Sequence, residues 1–465
     1  MGAISVSLLS DRTLSRETES GALAKPATVA VRTNDVEQTC SCGPSWIVKV
    51  GMPALTREQW ILSTVLLSFC DPLPEQCLHL AQLSAAEWRK LLIWLDISGL
   101  ALYFLDRLTE QGLRDRLPAA VIGRLQQNLT DNTKRTRGMI DESVTVQRAF
   151  QEAGLSYAVM KGFSLCPESV PRPELRHQFD LDFRMAENSA PEARRILERR
   201  GYRLYAISGK SWEFKLNENP SGSMKNMYKE TPSRLVELHL EATLQDKPST
   251  LDRTVTRAFY GISMPVLSPV DLFLGQGLHA YKDVCSEFSR VAHLLEFRRH
   301  ILARYDDDLF WRELQAFAEG NPRAYLGLGV VILLITHVMG DFAPEALTSW
   351  TVARLPVSVR LWVDRYGRRA VFKNIPGNKL YLLLQKELEA AGVPPRRSLK
   401  NSLFPSRLPP VIVRASVNES LSRRIARYRL QLRFILSRLQ FHVVEGLRYA
   451  WESYRWRRQL NRTVL

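Results

Sequence analysis

The sequence predicts an α/β (α+β) protein in which a small mixed sheet is flanked by N-terminal and C-terminal helical regions. Two observations carry this prediction. The segment from Leu155 to Leu240 contains short runs in which polar and apolar residues alternate, which is typical of strands. On either side of that segment the apolar residues recur every three or four positions, which is typical of amphipathic helices. With 465 residues the chain is long enough for two or three domains.

The N-terminal segment, residues 1–50, is rich in Ser, Thr, Glu and Ala and has few large apolar side chains. Because it buries too little apolar surface to offset the entropy lost on ordering, we predict that it is disordered. We also expect deletion of residues 1–45 to leave the melting temperature of the remaining chain unchanged. Residues 51–145 form a predicted helical region, in which Ser84 and Glu87 have the spacing of a capping box.

Residues 146–262 are predicted to form the domain that contains the sheet. Strands are expected near residues 155–160, 179–183, 202–207, 212–216 and 235–240, with a hairpin partner or a loop at 222–229. A helix is expected to connect two of these strands, because Ser189 and Glu192 match a second capping box and Gly201 follows as a helix stop.

The C-terminal part of the chain is predicted to be helical over residues 263–410 and to end in a basic amphipathic helix over residues 411–465. The apolar run from Ala324 to Gly340 is slightly short for a membrane span, so we expect a buried core helix and no integral membrane segment. In the last helix the apolar residues recur at steps of three and four and share one face: Leu421, Ile425, Tyr428, Leu432, Ile435 and Leu439. We expect this face to pack on its own domain, with a membrane-surface role as the alternative.

The formal net charge of +16 at pH 7 favours acidic partners such as nucleotides, nucleic acid or anionic membranes. The alternative is an Arg-rich solvated surface that has no such partner. The six cysteines have neither the spacing of a zinc site nor a disulfide framework. No signal peptide is recognised at the N-terminus. Together these features predict a cytoplasmic protein with reduced thiols.

Two acidic motifs carry the candidate chemistry. Residues two apart on a strand point to the same face, so Asp180 and Asp182 should project together, and Glu237 and His239 should also share a face. Clustered carboxylates repel one another unless a cation neutralises them. Oxygen ligands of this kind suit Mg²⁺ or Mn²⁺, ions that also hold substrate phosphates.

A turn at Lys161 and Gly162 follows the first predicted strand. Glycine allows the backbone to approach a ligand closely. A helix starting near Ser164 would offer its N–H groups to an anion. This turn is therefore a candidate phosphate-binding site.

The order of these motifs resembles the nucleotidyltransferase superfamily, and in particular its poorly characterised bacterial branch with a Lys-Gly turn. The resemblance rests on a strand ending in Lys-Gly, an Arg-x-x-x-Asp-x-Asp motif, a helix followed by Gly-Tyr, and a strand with an acidic-apolar-His motif. It implies that Asp180, Asp182 and Glu237 are the catalytic and metal-binding carboxylates. It further implies a nucleotide-binding and phosphate-binding group made of Lys161, Gly162, Ser164 and Arg176, with His239 in an orienting role.

Two positions depart from the common pattern of that superfamily. Phe179 stands where many members have a small residue, and Glu237 stands where the third carboxylate is commonly Asp. These departures support a degenerate module, whereas the resemblance as a whole implies a nucleotidyltransferase that moves a nucleoside monophosphate from a triphosphate to a hydroxyl acceptor. The acceptor is left open among a small molecule, a peptide, a protein and RNA. A degenerate nucleotide-binding or partner-binding module of the same fold, and a basic protein that binds nucleic acid or a membrane surface, are the alternatives.

Histidines near the sheet domain suggest one further site. His293, Glu296 and His300 have the spacing of one helix face, which would suit a zinc ion. Histidines on apolar helices are more often hydrogen-bonded core residues, and we expect that role here.

Overall fold

A computed structural model describes residues 55–216, 227–230, 234–242, 249–287, 290–373, 377–395, 397–405 and 420–463. The prediction of disorder for residues 1–50 lies outside these residues. The same holds for most of the expected hairpin partner at 222–229 and for the start of the C-terminal segment at 411–419.

The N-terminal helices are α1 (Arg57–Leu67), α2 (Ala85–Ser98), α3 (Ala101–Glu110) and α4 (Ala119–Glu152). The capping box predicted at Ser84 is present, since its side chain accepts from the Glu87 amide and the Glu87 side chain accepts from the Ser84 amide. Helix α4 is continuous over 34 residues and leads into the sheet.

A mixed sheet of seven strands follows. In chain order its elements are β1 (Tyr157–Met160), β2 (Asp180–Ala186), α5 (Ala190–Arg199), β3 (Arg203–Ser208), β4 (Ser211–Lys215), β5 (Leu235–Glu241), β6 (Val255–Phe259) and β7 (Ile262–Val266). The strand order is β3-β4-β5-β2-β1-β7-β6. The pairs β2–β5 and β1–β7 are parallel, and the other four pairs are antiparallel. Helices α4 and α5 cover one face with a core that includes Phe150, Tyr157 and Phe183 in edge-to-face contact.

The remaining helices are α6 (Pro269–Val284), α7 (Val291–Leu302), α8 (Asp308–Ala318), α9 (Pro322–Met339), α10 (Glu345–Thr348), α11 (Val357–Val371), α12 (Tyr381–Ala390), α13 (Leu399–Leu403) and α14 (Leu421–Thr463). Helix α9 is the expected core helix. Among the described helices it alone is long and apolar enough to cross a membrane, and 67% of it is buried inside the protein. Side chains from α1–α4 and from α6–α12 share one hydrophobic core, so the two helical regions pack together around α9.

One local prediction is wrong, and one hairpin of the sheet was not predicted. The capping box at Ser189 does not form, because the 3₁₀ turn Glu187–Ser189 runs directly into α5 and gives Ser189 helical backbone angles. Glu192 instead pairs with Arg195 and Arg199. The hairpin β6–β7 was not predicted, although β7 extends the sheet by pairing with β1.

Candidate active site

The acidic motifs meet because β2 and β5 are parallel neighbours in the middle of the sheet. Their register places Asp182 beside Glu237. The alternating residues Leu181, Phe183, Val236 and Leu238 enter the core on the opposite face. The face shared by the charged residues is therefore fixed by burial of the apolar ones, because a slip of one residue would expose that whole set.

The carboxylate of Asp182 is the centre of the site. Its Oδ1 accepts from Lys161 Nζ at 3.0 Å and lies 2.8 Å from His239 Nε2. The same His239 nitrogen is 3.7 Å from Glu237 Oε2. Ser211 on β4 donates its hydroxyl to the other oxygen of Glu237. The Asp182 side chain is 4% exposed, so these contacts replace water almost completely.

The Lys-Gly turn borders a small pocket that Gln178, Asp180 and Asp182 also line. Lys161 has a φ of 55°, an uncommon conformation for a residue with a side chain. Gly162 follows with a φ of 50°, and a Cβ there would lie 3.0 Å from the Gln178 side-chain oxygen. Strain of this kind clusters at functional sites.

The helix expected after this turn is only the short 3₁₀ turn Gly162–Leu165. The amide and hydroxyl of the buried Ser164 both donate to the Lys161 carbonyl, at 2.9 Å and 2.8 Å. Its donors are thus already satisfied within the turn.

Arg176 lies away from the pocket surface, in a buried ion pair with the helical region. Its Nε donates to both carboxylate oxygens of Glu296 on α7, at 3.2 Å and 3.3 Å. Tyr103 donates to the same carboxylate at 2.9 Å. The guanidinium also donates to Gln178, two residues before Asp180, at 3.2 Å. Arg176 therefore connects the strand of the acidic pair to α3 and α7.

The two aspartates have opposite pKa shifts. Burial, together with the negative charge of Asp182, raises the pKa of Asp180 to about 6. Burial would also raise the pKa of Asp182, but Lys161 and His239 outweigh it and lower that pKa below its usual value. The carboxylates likewise raise the pKa of Lys161, against the effect of burial. Neighbouring groups thus stabilise the negative charge of Asp182, whereas burial and the nearby Asp182 destabilise the negative charge of Asp180.

This imbalance predicts a pH-dependent gain in stability when Asp180 is replaced by Asn. The folded state holds the Asp180 proton more tightly than the unfolded state, so the contribution of Asp180 to the free energy of unfolding falls as pH rises from about 4 to about 6. In EDTA, Asp180→Asn should therefore be more stable by roughly 2–3 kcal/mol above pH ~6, and the difference should vanish below pH ~4. Thermal unfolding at several pH values measures this difference in stability.

Glu198→Gln, at an exposed pair on α5, is the control and should show little change. A gain that is equal at all pH values would contradict the prediction.

Sequence reasoning missed two polar residues on β4. Glu213 pairs in register with Glu237, and Ser211 with His239. Glu213 is buried, while Trp212 and Phe214 belong to the core on the other face. The alternation along this strand was visible in the sequence, but only the pairing of β4 with β5 brings Ser211 and Glu213 to the site.

Among the described residues, two groups place His or carboxylate ligand atoms within 4.8 Å of one another. The first is Asp182, Glu237 and His239, with Asp180 on the same strand face. This oxygen-rich donor set fits Mg²⁺ or Mn²⁺.

The second group lies on the helices α6 and α7. It consists of His279, Asp283 and His293, with His293 Nδ1 2.6 Å from Asp283 Oδ2. Burial lowers the pKa of each of the two histidines to about 3. The structure does not bring together the possible zinc ligands considered from the sequence, His293, Glu296 and His300. Glu296 forms an ion pair with Arg176, and His300 forms a hydrogen bond with Gln276.

Comparison with known proteins identifies the family to which the chain belongs. A family model described as uncharacterised nucleotidyltransferase matches residues 84–332, more than half of the chain. The chain belongs to this nucleotidyltransferase family. The match covers every strand of the sheet and the helices from α2 to α8, with most of α9. No curated protein sequence matches the chain.

Three solved structures are similar at low identity. A crystal structure of ANT(2″)-Ia in complex with adenylyl-2″-tobramycin is 12% identical, with a TM-score of 0.30, over 39% of this chain and 96% of that one. A solution structure of the antibiotic-resistance factor ANT(2″)-Ia is 12% identical, with a TM-score of 0.29, over 40% and 92%. An antigenic nucleotidyltransferase-like protein from Paracoccidioides brasiliensis is 16% identical, with a TM-score of 0.27, over 46% and 97%.

Proposed function

We propose that this family member transfers a nucleoside monophosphate from a nucleoside triphosphate to a hydroxyl group of an acceptor, with Mg²⁺ or Mn²⁺. The acceptor oxygen bonds to the α-phosphorus, the hydroxyl proton is lost to a base, and the bond to the β-phosphate breaks so that pyrophosphate leaves. The observation that carries the proposal is the convergence of Asp182, Glu237 and His239 beside the Lys161–Gly162 turn. Three carboxylates on one face of a sheet, next to an ammonium group and a glycine turn, suit a phosphate-bound cation.

Asp180, Asp182 and Glu237 would hold the metal ion. When bound, such an ion neutralises charge on the phosphates and stabilises the attacking and leaving oxygens. Lys161 is held against Asp182, but its side chain remains 31% exposed, so its ammonium group is available to a phosphate oxygen. Gly162 lets the backbone approach the phosphates without a Cβ that would contact Gln178.

The other polar residues orient these groups. His239 bonds Asp182 and lies near Glu237, so it fixes the direction of both carboxylates. Ser211 holds the second oxygen of Glu237. Glu237 is then placed to position the acceptor hydroxyl or to take its proton. Arg176 is a positioning residue, since its guanidinium is used by Glu296 and Gln178.

The direct experiment is a mass-shift screen. The protein is incubated with each of the four common nucleoside triphosphates, Mg²⁺ or Mn²⁺ and a cell extract, and small molecules, peptides, proteins and RNA are examined for an added nucleotide. We expect one class of acceptor to gain the mass of a nucleoside monophosphate, and EDTA to abolish the gain. Isothermal titration with each triphosphate and Mg²⁺ is run in parallel.

A degenerate binding module is the second candidate. This candidate is supported by Phe179, which directly precedes the acidic pair and is 37% exposed. The Phe179 ring packs between His177 and Arg135, and the centroids of the Phe179 and His177 rings are 4.2 Å apart. Magnesium-dependent nucleotide binding without any product would favour this candidate. Absence of nucleotide binding under all conditions would refute the transferase and a nucleotide-binding module, and would leave a partner-binding module of the same fold.

A further inference from the structure

Helix α14 carries a disproportionate share of the positive charge. It contains 11 arginines, no lysine and two glutamates, which gives 11 − 2 = +9 of the net +16 on 43 of 465 residues. Both glutamates face the protein. Glu445 is buried and accepts from the Lys379 amide at 3.2 Å, and Glu452 is buried and accepts from the Tyr366 hydroxyl at 3.0 Å. The outward surface of the helix is therefore basic without acidic side chains.

The same helix presents a continuous apolar stripe to the outside. Its members are spaced three or four residues apart and are 44% to 71% exposed: Leu421, Ile425, Tyr428, Leu432, Leu436, Leu439, Val443 and Leu447. Residues at these spacings share one side of a helix. The stripe overlaps the one expected from the sequence, with Leu436 on it and Ile435 half-buried beside it.

The stripe is on the side of α14 that faces away from the protein. The packed side consists of Phe441, Glu445, Tyr449, Glu452 and Trp456, which are all buried. At about 100° per residue, the centre of this side lies roughly 180° around the helix from the stripe. At the start of the helix, residues 421–426 are exposed on every side. The expectation that the stripe packs on its own domain is therefore not met by the described residues.

Charge decides among the surfaces that could cover this stripe. A second copy would bring two arginine-rich helices together without acidic partners. The first 54 residues of the chain contain five acidic and five basic residues, so they offer no net negative charge. A nucleic acid would neutralise the arginines but would leave the leucines in water. An anionic lipid surface satisfies both features, since acyl chains receive the apolar side chains and head groups receive the guanidinium groups.

We propose that α14 docks this nucleotidyltransferase on anionic membrane surfaces. The helix lies in the interface with its leucine stripe toward the acyl chains. Its arginines extend to the head groups, and Tyr428 lies at the boundary between them. The α9 helix stays in the protein core, so none of the described helices spans the membrane.

Vesicle flotation of the full chain tests the proposal. Vesicles of phosphatidylcholine alone are compared with vesicles that contain about one-third phosphatidylglycerol, at low and high salt. We expect binding to the anionic vesicles only, weakened by salt. The triple variant Ile425→Ser/Leu432→Ser/Leu439→Ser should lose on the order of tenfold in partitioning per side chain. Arg424→Gln/Arg429→Gln/Arg433→Gln should lose on the order of 100-fold in total.

A matched control changes exposed uncharged polar residues of the same helix, Ser422→Ala/Ser437→Ala/Gln440→Ala, and should bind as the unsubstituted chain does. Circular dichroism and melting curves verify that each variant folds. Equal binding to neutral and anionic vesicles, or no binding to either, would overturn the proposal. So would a dimer that the serine variant dissociates, which would assign the stripe to a second copy. RNA binding that persists in the serine variant and is lost in the glutamine variant, without vesicle binding, would assign the helix to nucleic acid.

Discussion

Replacement of Asp182 by Asn is expected to abolish nucleotidyl transfer and to lower the melting temperature. Transfer should fall by about 10³-fold or more, because the central carboxylate would no longer hold a metal ion. In the absence of metal, the half-buried ammonium group of Lys161 would lose its ion pair at 3.0 Å. We expect a loss of about 1–2 kcal/mol in the free energy of unfolding, a value reduced by the exposure of Lys161.

The comparison with Asp180→Asn sharpens this prediction. Both substitutions should abolish transfer, but they should change stability in EDTA in opposite directions at neutral pH, because Asp182 is neutralised by Lys161 and His239 whereas Asp180 is not. Glu198→Gln removes an exposed carboxylate and should change neither quantity. Activity and melting curves of the three variants provide the measurement. If both aspartate variants retained transfer, the carboxylates would not be the metal ligands.

Replacement of Glu296 by Gln is expected to have the largest effect on stability. Glu296 and Arg176 form an ion pair in which the side chains are 2% and 12% exposed. The Gln variant keeps an acceptor for Tyr103 but leaves the Arg176 charge buried without its carboxylate partner. Loss of one partner of such a pair typically costs about 3–5 kcal/mol, and we expect a fall of that size in the free energy of unfolding.

A double-mutant cycle separates this mechanism from a simple loss of packing. Arg176→Met/Glu296→Leu removes both charges and should be markedly more stable than Glu296→Gln, because an apolar pair leaves no buried charge. The exposed pair of Arg194 and Glu198 is the control, where Arg194→Gln should change stability by less than about 1 kcal/mol. Additive effects of Arg176→Met and Glu296→Leu, each also measured alone, would show that the pair is not coupled.

The nature of the sheet and of its charged face follows from the sequence. Alternation along Asp180–Ala186 and Leu235–Glu241 predicts which residues are buried, since side chains on a strand alternate between its two faces. The order of the Lys-Gly turn and the acidic motifs is sufficient to indicate the nucleotidyltransferase family, which the family match over residues 84–332 confirms.

Only the tertiary structure determines which of these residues meet. The register of β2 against β5 places Asp182 beside Glu237, and the pairing of β4 with β5 adds Ser211 and Glu213. Glu296 lies 120 residues from Arg176 in the chain, and no local pattern connects them. The helices before and after the sheet share one hydrophobic core, although the sequence predicts two separate helical regions. The alternation of polar and apolar residues along a strand determines the face on which each side chain lies. The contacts that a side chain makes across the sheet depend on strand register and on packing between distant segments, and neither of these can be read from a local stretch of sequence.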